Sequence, residues 1–335
     1  MERMEKFSPQ LKRIIAISAT FVIGLSPAWA ADFPEAGSTI TVIVPFGPGG
    51  MVDLMARTMA PYWDAKWGTR TVVLNRPGAN GQIALTEMLR QKPDGQTIAF
   101  TQGFDTQMSY LNAEAKAPYS RSSFTPVGLV QSTPSVWVVR ADSPYRSMAS
   151  LLEAARNRPG EVNFGTPASR GPAVLYLEEF EKKAGARLNS VPFNDAPSMV
   201  GALLGGHIDL ATSNPAVALP HVRAGRLRAL MVSGDTPLKY FPDTPASASL
   251  GLEISKLGSN TGLTLARGTP EAAVQAWSAM LEALTSDPAL RARMDEMAVQ
   301  LAYATPRDYA QSWTATEAEV RRILLRVSGD VRPVQ

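Results

Sequence analysis

The stretch Val44-Pro45-Phe46-Gly47-Pro48-Gly49-Gly50-Met51-Val52-Asp53 joins a β-branched apolar run to a helical pattern through a glycine-rich turn. Successive backbone N–H groups converge in such a turn, and the helix start behind it adds partial positive charge. The chemistry on offer is anion binding without a basic side chain. Two nucleotide readings fail on spacing. A P-loop requires Gly-Lys-Ser/Thr at the helix start, where this chain has Gly50-Met51-Val52. A dinucleotide fingerprint requires glycine at the first, third and sixth positions, but the sixth from Gly47 is Val52, and the next strand ends in Asn75 instead of an acid. A carboxylate or phosphate site, or a bare structural turn, is what remains.

A second candidate is Thr166-Pro167-Ala168-Ser169-Arg170-Gly171, whose last five residues have the outline of a nucleophile elbow. Proline replaces the first glycine, which fixes φ and removes a donor. Only His207 and His221 are available as a base, so an exported serine hydrolase is the weakest of the function classes. Ser169 reads better as a loop hydroxyl that donates to an anion. Arg170 is either a solvated surface charge or a bidentate carboxylate partner, and the second role would suit a dianionic or aromatic dicarboxylic acid.

The chain has no cysteine, which excludes disulfides, thiolate nucleophiles and cysteine metal sites. The spacing of the two histidines matches no metal motif. Neither a metal nor a cofactor is expected. With 33 basic against 30 acidic residues, no nucleic-acid surface is expected either.

These loops need a scaffold, and the chain alternates β-branched runs with helical patterns from Thr39 onward, the mark of βαβ units. Strands are predicted over residues 40–44, 71–74, 97–100, 136–139, 162–165, 188–191, 208–211 and 227–232. Val52, Met55, Ala56, Met59 and Trp63 give the first helix one apolar face. Further helices are predicted over 81–90, 147–157, 172–183, 197–204 and 216–224, and Thr269-Pro270 and Thr305 open the last ones. At the N-terminus, Arg3, Lys6, Lys12 and Arg13 precede an apolar run over residues 14–25, and Ala28-Trp29-Ala30 is a small-x-small site. The run is shorter than the roughly 18 residues a spanning helix needs. Residues 1–30 therefore read as a signal peptide cleaved near Ala30, which sends the remainder to the periplasm.

Ordered motifs run along the chain: Val44-Pro45-Phe46 through Gly49-Gly50 and Asp53, Asn75-Arg76-Pro77-Gly78-Ala79, Lys92-Pro93-Asp94-Gly95 and Phe124-Thr125-Pro126-Val127. They continue with Val191-Pro192-Phe193, Ala196-Pro197, Gly205-Gly206-His207-Ile208-Asp209, Gly225-Arg226-Leu227-Arg228-Ala229-Leu230, Pro242-Asp243-Thr244-Pro245 and Gly268-Thr269-Pro270. In these motifs the chain resembles the substrate-binding proteins of tripartite tricarboxylate transporters, the Bug receptors.

The resemblance implies an α/β, two-domain periplasmic-binding-protein fold of the Venus-flytrap, type II kind, with two mainly parallel sheets and a ligand cleft between them. Residues 31–133 would form the first part of domain 1, 134–248 domain 2, and 249–335 the return to domain 1 with the C-terminal helices. It also implies a monomeric receptor, not an enzyme, that binds a small di- or tricarboxylate or aromatic acid. Its partners would be the membrane permease subunits of such a transporter, or alternatively a sensor kinase. Carried over by position, the ligand-binding residues are Phe46, Gly47, Pro48, Gly49, Gly50, Met51, Val52 and Asp53 in one loop and Thr166, Ser169 and Arg170 in the other. Phe193 and Asn194 would form a wall, with Asp209 and Ser213 near the floor. The chain departs from the pattern at Val52, usually threonine, at Phe193, usually tyrosine, and at Asn194-Asp195, often Lys-Gly.

Overall fold

The computed structural model describes residues 33–167, 172–193, 195–252 and 259–327. The predicted signal peptide lies outside them, as do Ser169, Arg170 and Asn194. The chain begins β1 (Thr39–Val44), α1 (Met51–Trp67), β2 (Arg70–Asn75), α2 (Gln82–Leu89), β3 (Thr97–Gln102), α3 (Gly103–Leu111) and β4 (Phe124–Thr133). It continues β5 (Val136–Arg140), α4 (Met148–Asn157), β6 (Asn163–Pro167), α5 (Pro172–Ala184), β7 (Asn189–Phe193), α6 (Ala196–Leu204), β8 (Leu210–Ser213), α7 (Pro215–Arg223) and β9 (Leu227–Val232). It ends β10 (Ser259–Ala266), α8 (Glu271–Ser286), α9 (Pro288–Glu296), β11 (Leu301–Ala304) and α10 (Pro306–Val327).

Among the described residues the strands form two sheets, ordered β11-β4-β10-β3-β1-β2 and β7-β6-β8-β5-β9. In the first, β1 pairs in parallel with β2 and β3, while β10 is antiparallel to both β3 and β4. Strands β1 to β4 therefore share one direction, and the returning strands β10 and β11 oppose it. In the second, β6 is parallel to β7 and β8, and the reversed β5 separates β8 from β9. Each sheet is mixed, with most of its strands running one way.

Burial on both faces explains the composition of β1. Ile40, Val42 and Val44 join one core with α1 and α8, while Ile43 points into another with α2, α3 and α10. The first core is anchored by Trp277, which meets Trp63 and Trp67 edge-on at 5.4 and 4.8 Å and donates its indole N–H to Gly95 O at 2.9 Å. The second sheet is likewise covered on both faces, by α4 and α5 around Trp137 and Phe164 and by α6 and α7 around Val138 and Ala211.

The chain passes between the sheets twice, after β4 and after β9. The two crossings lie side by side. Ser233 N–H donates to Ser135 O at 2.8 Å, and their hydroxyls meet at 2.8 Å. Beyond the second crossing, Lys239 and Tyr240 both reach the carboxylate of Asp295 on α9, each at 2.7 Å.

Candidate ligand cleft

Open α/β sheets bind ligands outside the carboxyl ends of their parallel strands. At that edge of the first sheet, β1 runs into the glycine-rich loop and its neighbour β3 runs into α3; the register Ile43↔Ala99 sets the two exits side by side. At the same edge of the second sheet, β6, β7 and β8 end at Pro167, Phe193 and Ser213. The two edges face each other. A Cβ placed on Gly47 would stand 3.0 Å from Asp195 Oδ2 at the exit of β7, and α3 approaches α5.

The loop is held from behind by a buried carboxylate. Gly49 turns the chain at φ +79, in the left-handed region, and its N–H donates to Asp53 Oδ2 at 2.9 Å. Asp53 Oδ1 accepts from Arg57 Nε at 2.9 Å and Asn75 Nδ2 at 3.0 Å, and Asn75 Nδ2 also reaches Phe46 O at 3.0 Å. Burial raises the Asp53 carboxyl, but these donors outweigh it and hold the group below its ordinary range. Asp53 is only 3% exposed and its oxygens are committed, so its side chain clamps the loop and does not face a solute.

What the loop presents is backbone. Leu54 N–H is the first in α1 to find a helical acceptor, Gly50 O at 3.0 Å, which leaves the amides of Met51, Val52 and Asp53 without a backbone acceptor among the described residues. The side chains of Met51 and Val52 are buried in the core, Phe46 packs partly against it, and Pro48 is exposed at the loop tip. Of the residues expected to make contacts here, Met51, Val52 and Asp53 have only main-chain groups left to offer.

Across the cleft the expected residues separate. Ser213, 4% exposed, stands at the end of β8 with its hydroxyl donating to Asn214 O at 3.3 Å. Phe193, half-buried, ends β7 and packs against the α6 side of its sheet. Thr166 is fully buried near the end of β6, with Oγ1 at 3.1 Å from Ser190 Oγ. Asp209, expected near the floor, sits apart from these residues. It precedes β8 beside Asn163 at the start of β6, the edge of the sheet away from the cleft. There its Oδ2 accepts the Asn163 N–H at 2.8 Å.

Residues 55–328 match the tripartite tricarboxylate transporter family receptor, TctC. The chain belongs to this family. BugT of Bordetella pertussis strain Tohama I is 32% identical over 244 residues, spanning 72% of this chain and 74% of BugT. A solved periplasmic transporter superposes with a TM-score of 0.79 at 26% identity, covering 88% of this chain and 98% of that one. An R. palustris protein solved with adipate gives 0.79 at 25% identity, over 90% and 100% of the two chains. The protein is thus a periplasmic solute-binding receptor of the TctC and Bug type, with their two-domain α/β fold.

Three residues at the facing strand exits of this TctC receptor are not among the ligand-binding residues expected from the sequence. Asn75 reads in the sequence as a strand end without a ribose acid, and its side chain is part of the Asp53 clamp. Asp195 caps α6, accepting Ser198 N–H on Oδ1 at 2.7 Å, a role that the run Asp195-Ala196-Pro197-Ser198 does signal. Asp105, in the first turn of α3, left no trace in the sequence pattern. It is partly exposed, and among the described residues no hydrogen bond or ion pair reaches it.

Burial pushes the Asp105 carboxyl from 3.8 up to about 6. A raised carboxyl contributes stability below its unfolded value and loses it as pH rises through the folded one. Stability should therefore drain between pH 3.8 and about 6. Asp105→Asn removes that drain and should gain about 2 kcal/mol at pH 7, with little gain at pH 4. Thermal melts at the two pH values check it, and an equal offset at both would contradict it.

Proposed function

We propose that this receptor captures a small carboxylate in the cleft by domain closure and delivers it to the membrane subunits of a tripartite tricarboxylate-type transporter, without covalent chemistry. The domains would be residues 31–133 with 249–335, and 134–248. The observation that carries this reading is the set of three amides, Met51 to Asp53, that no backbone acceptor claims among the described residues, at the start of α1 in the loop whose Gly47 approaches Asp195 at the exit of β7. A helix N-terminus preorganised in this way suits an anion with no arginine at the near side. The adipate held by the R. palustris relative supports the same class of solute.

The magnitudes are sufficient. A micromolar dissociation constant is about −8 kcal/mol, and each hydrogen bond to a charged group contributes roughly 1.5 to 3 kcal/mol. Three amides and one or two donors from the second domain reach that range after the cost of closure. A thermal-shift panel of mono-, di- and tricarboxylates and aromatic acids tests it. At a hundredfold excess over Kd the right acid adds about 2.7 kcal/mol, a rise of roughly 5 °C or more for a protein of this size. A flat response to the whole panel would overturn the reading.

A further inference from the structure

We propose that Asp195 sets the receptor's specificity by requiring a hydrogen-bond donor on the solute carbon next to its carboxylate, so that α-hydroxy or α-amino acids are taken in preference to the plain acid of the same skeleton. This rests on the carboxylate-receptor reading above. The resemblance drawn from the sequence marks this position as a departure, with Asn194-Asp195 where Lys-Gly is common. The structure shows where the departure points.

Asp195 is fixed by its own helix. Oδ1 accepts Ser198 N–H at 2.7 Å, and the Ser198 hydroxyl donates to Asp195 O at 3.0 Å, so the side chain has little freedom to swing away. Oδ2 is thereby directed across the cleft to Gly47, 3.0 Å from where a Cβ would sit. Gly47 is buried, and its carbonyl lies 3.4 Å from the Cβ position of Gly50, so the turn is tight and α1, with the amides of Met51 to Asp53, begins four residues on. The facing strand exits bring a fixed carboxylate oxygen against the loop that is to hold the solute's own carboxylate.

Two anions at that separation repel unless a donor stands between them. The neighbouring cation does not serve. Arg57 is engaged by Asp53 and Asn75, and no ion pair reaches Asp195 among the described residues. Since no cation among the described residues pairs with Asp195, the donor is assigned to the solute, close to the gripped carboxylate because Asp195 approaches the same loop. A hydroxyl or ammonium on the adjacent carbon meets both conditions, whereas a methylene leaves Oδ2 facing an anion and an apolar surface.

Titration calorimetry on matched pairs tests this: malate and aspartate against succinate, lactate against propionate, mandelate against phenylacetate. Wild type should prefer the substituted acid by about tenfold or more in the pair that binds best. Asp195→Asn keeps a good helix cap, so the fold should hold, and it should bring the preference below about threefold by weakening the substituted acid and strengthening the plain one. Asp195→Ser, also a capping residue, guards against a fault peculiar to asparagine. An unchanged ratio in both variants, or a wild type that prefers the plain acid, overturns the inference and leaves the receptor reading intact. A wild type that binds no acid of either set overturns both.

Discussion

Asp53→Ala should cost the folded protein about 3 kcal/mol and abolish solute capture. Its carboxylate is 3% exposed and collects three donors: the Gly49 amide, Arg57 Nε and Asn75 Nδ2. Removing it takes the acceptor from all three at once, leaving Asn75 Nδ2 only Phe46 O, and hydrogen bonds to a charged group are each worth roughly 1.5 to 3 kcal/mol. Exposure of Arg57, whose side chain is 52% accessible, keeps the total toward the lower end. The melting temperature should fall by roughly 5 to 10 °C, and affinity for the best acid of the panel by at least about a hundredfold. Asp53→Asn retains an acceptor for the Gly49 amide and should lose about half as much stability. Because the folded carboxyl titrates below its ordinary 3.8, its contribution is present above that value and is lost only as pH falls through the lower, folded one. The alanine variant should therefore differ from wild type least in strong acid. Melts from pH 2 to 7 together with one calorimetric titration decide it.

Gly47→Leu should separate stability from function. The backbone at Gly47 is outside the left-handed region, so a side chain is conformationally allowed there. Its Cβ, however, would stand 3.0 Å from Asp195 Oδ2, and a leucine extends further into the second domain's path. The domains can relieve the overlap by staying apart, at no cost to either core. We expect a melting temperature within about 2 °C of wild type and affinity lowered by about a hundredfold. Asp195→Ala in the same chain opens space opposite and should restore part of it. Calorimetry on the single and double variants checks both statements, and a leucine variant that binds normally would show that the cleft closes elsewhere.

How much of this was legible beforehand differs from loop to loop. The first loop was, because strand, glycine turn and amphipathic helix follow each other within one continuous segment, and each uses local chemistry. The division of labour inside it was not. Nothing local distinguishes an aspartate that meets a solute from one that accepts the Asn75 amide, since Asn75 arrives from the end of a different strand. β4 went unread because Pro126 and Gly128 argue against a strand. It is tolerated because its pairing with β10 shifts register beside those residues. α3 was hidden for another reason. It is covered by α10, and its polar residues find partners there: Gln107 donates to Trp313 O at 3.3 Å and the Tyr110 hydroxyl to Glu317. A helix whose buried face carries Thr106, Gln107 and Ser109 shows no apolar period. For β8, the apolar residues Ile208, Leu210 and Ala211 suggested a strand two residues early. Ile208 is buried in the approach to the strand, and Asp209, placed by the resemblance and not by the strand bounds, lies just before its start, four residues and about 13 Å before Ser213.

Small-angle X-ray scattering, with and without the acid that raises the melting temperature most, is the direct test of capture by closure. A receptor that closes on its solute contracts: the radius of gyration should fall on titration, saturate at the Kd given by calorimetry, and stay constant in Gly47→Leu. A radius of gyration that does not change while the wild type is shown by calorimetry to be saturated would contradict capture between the two domains.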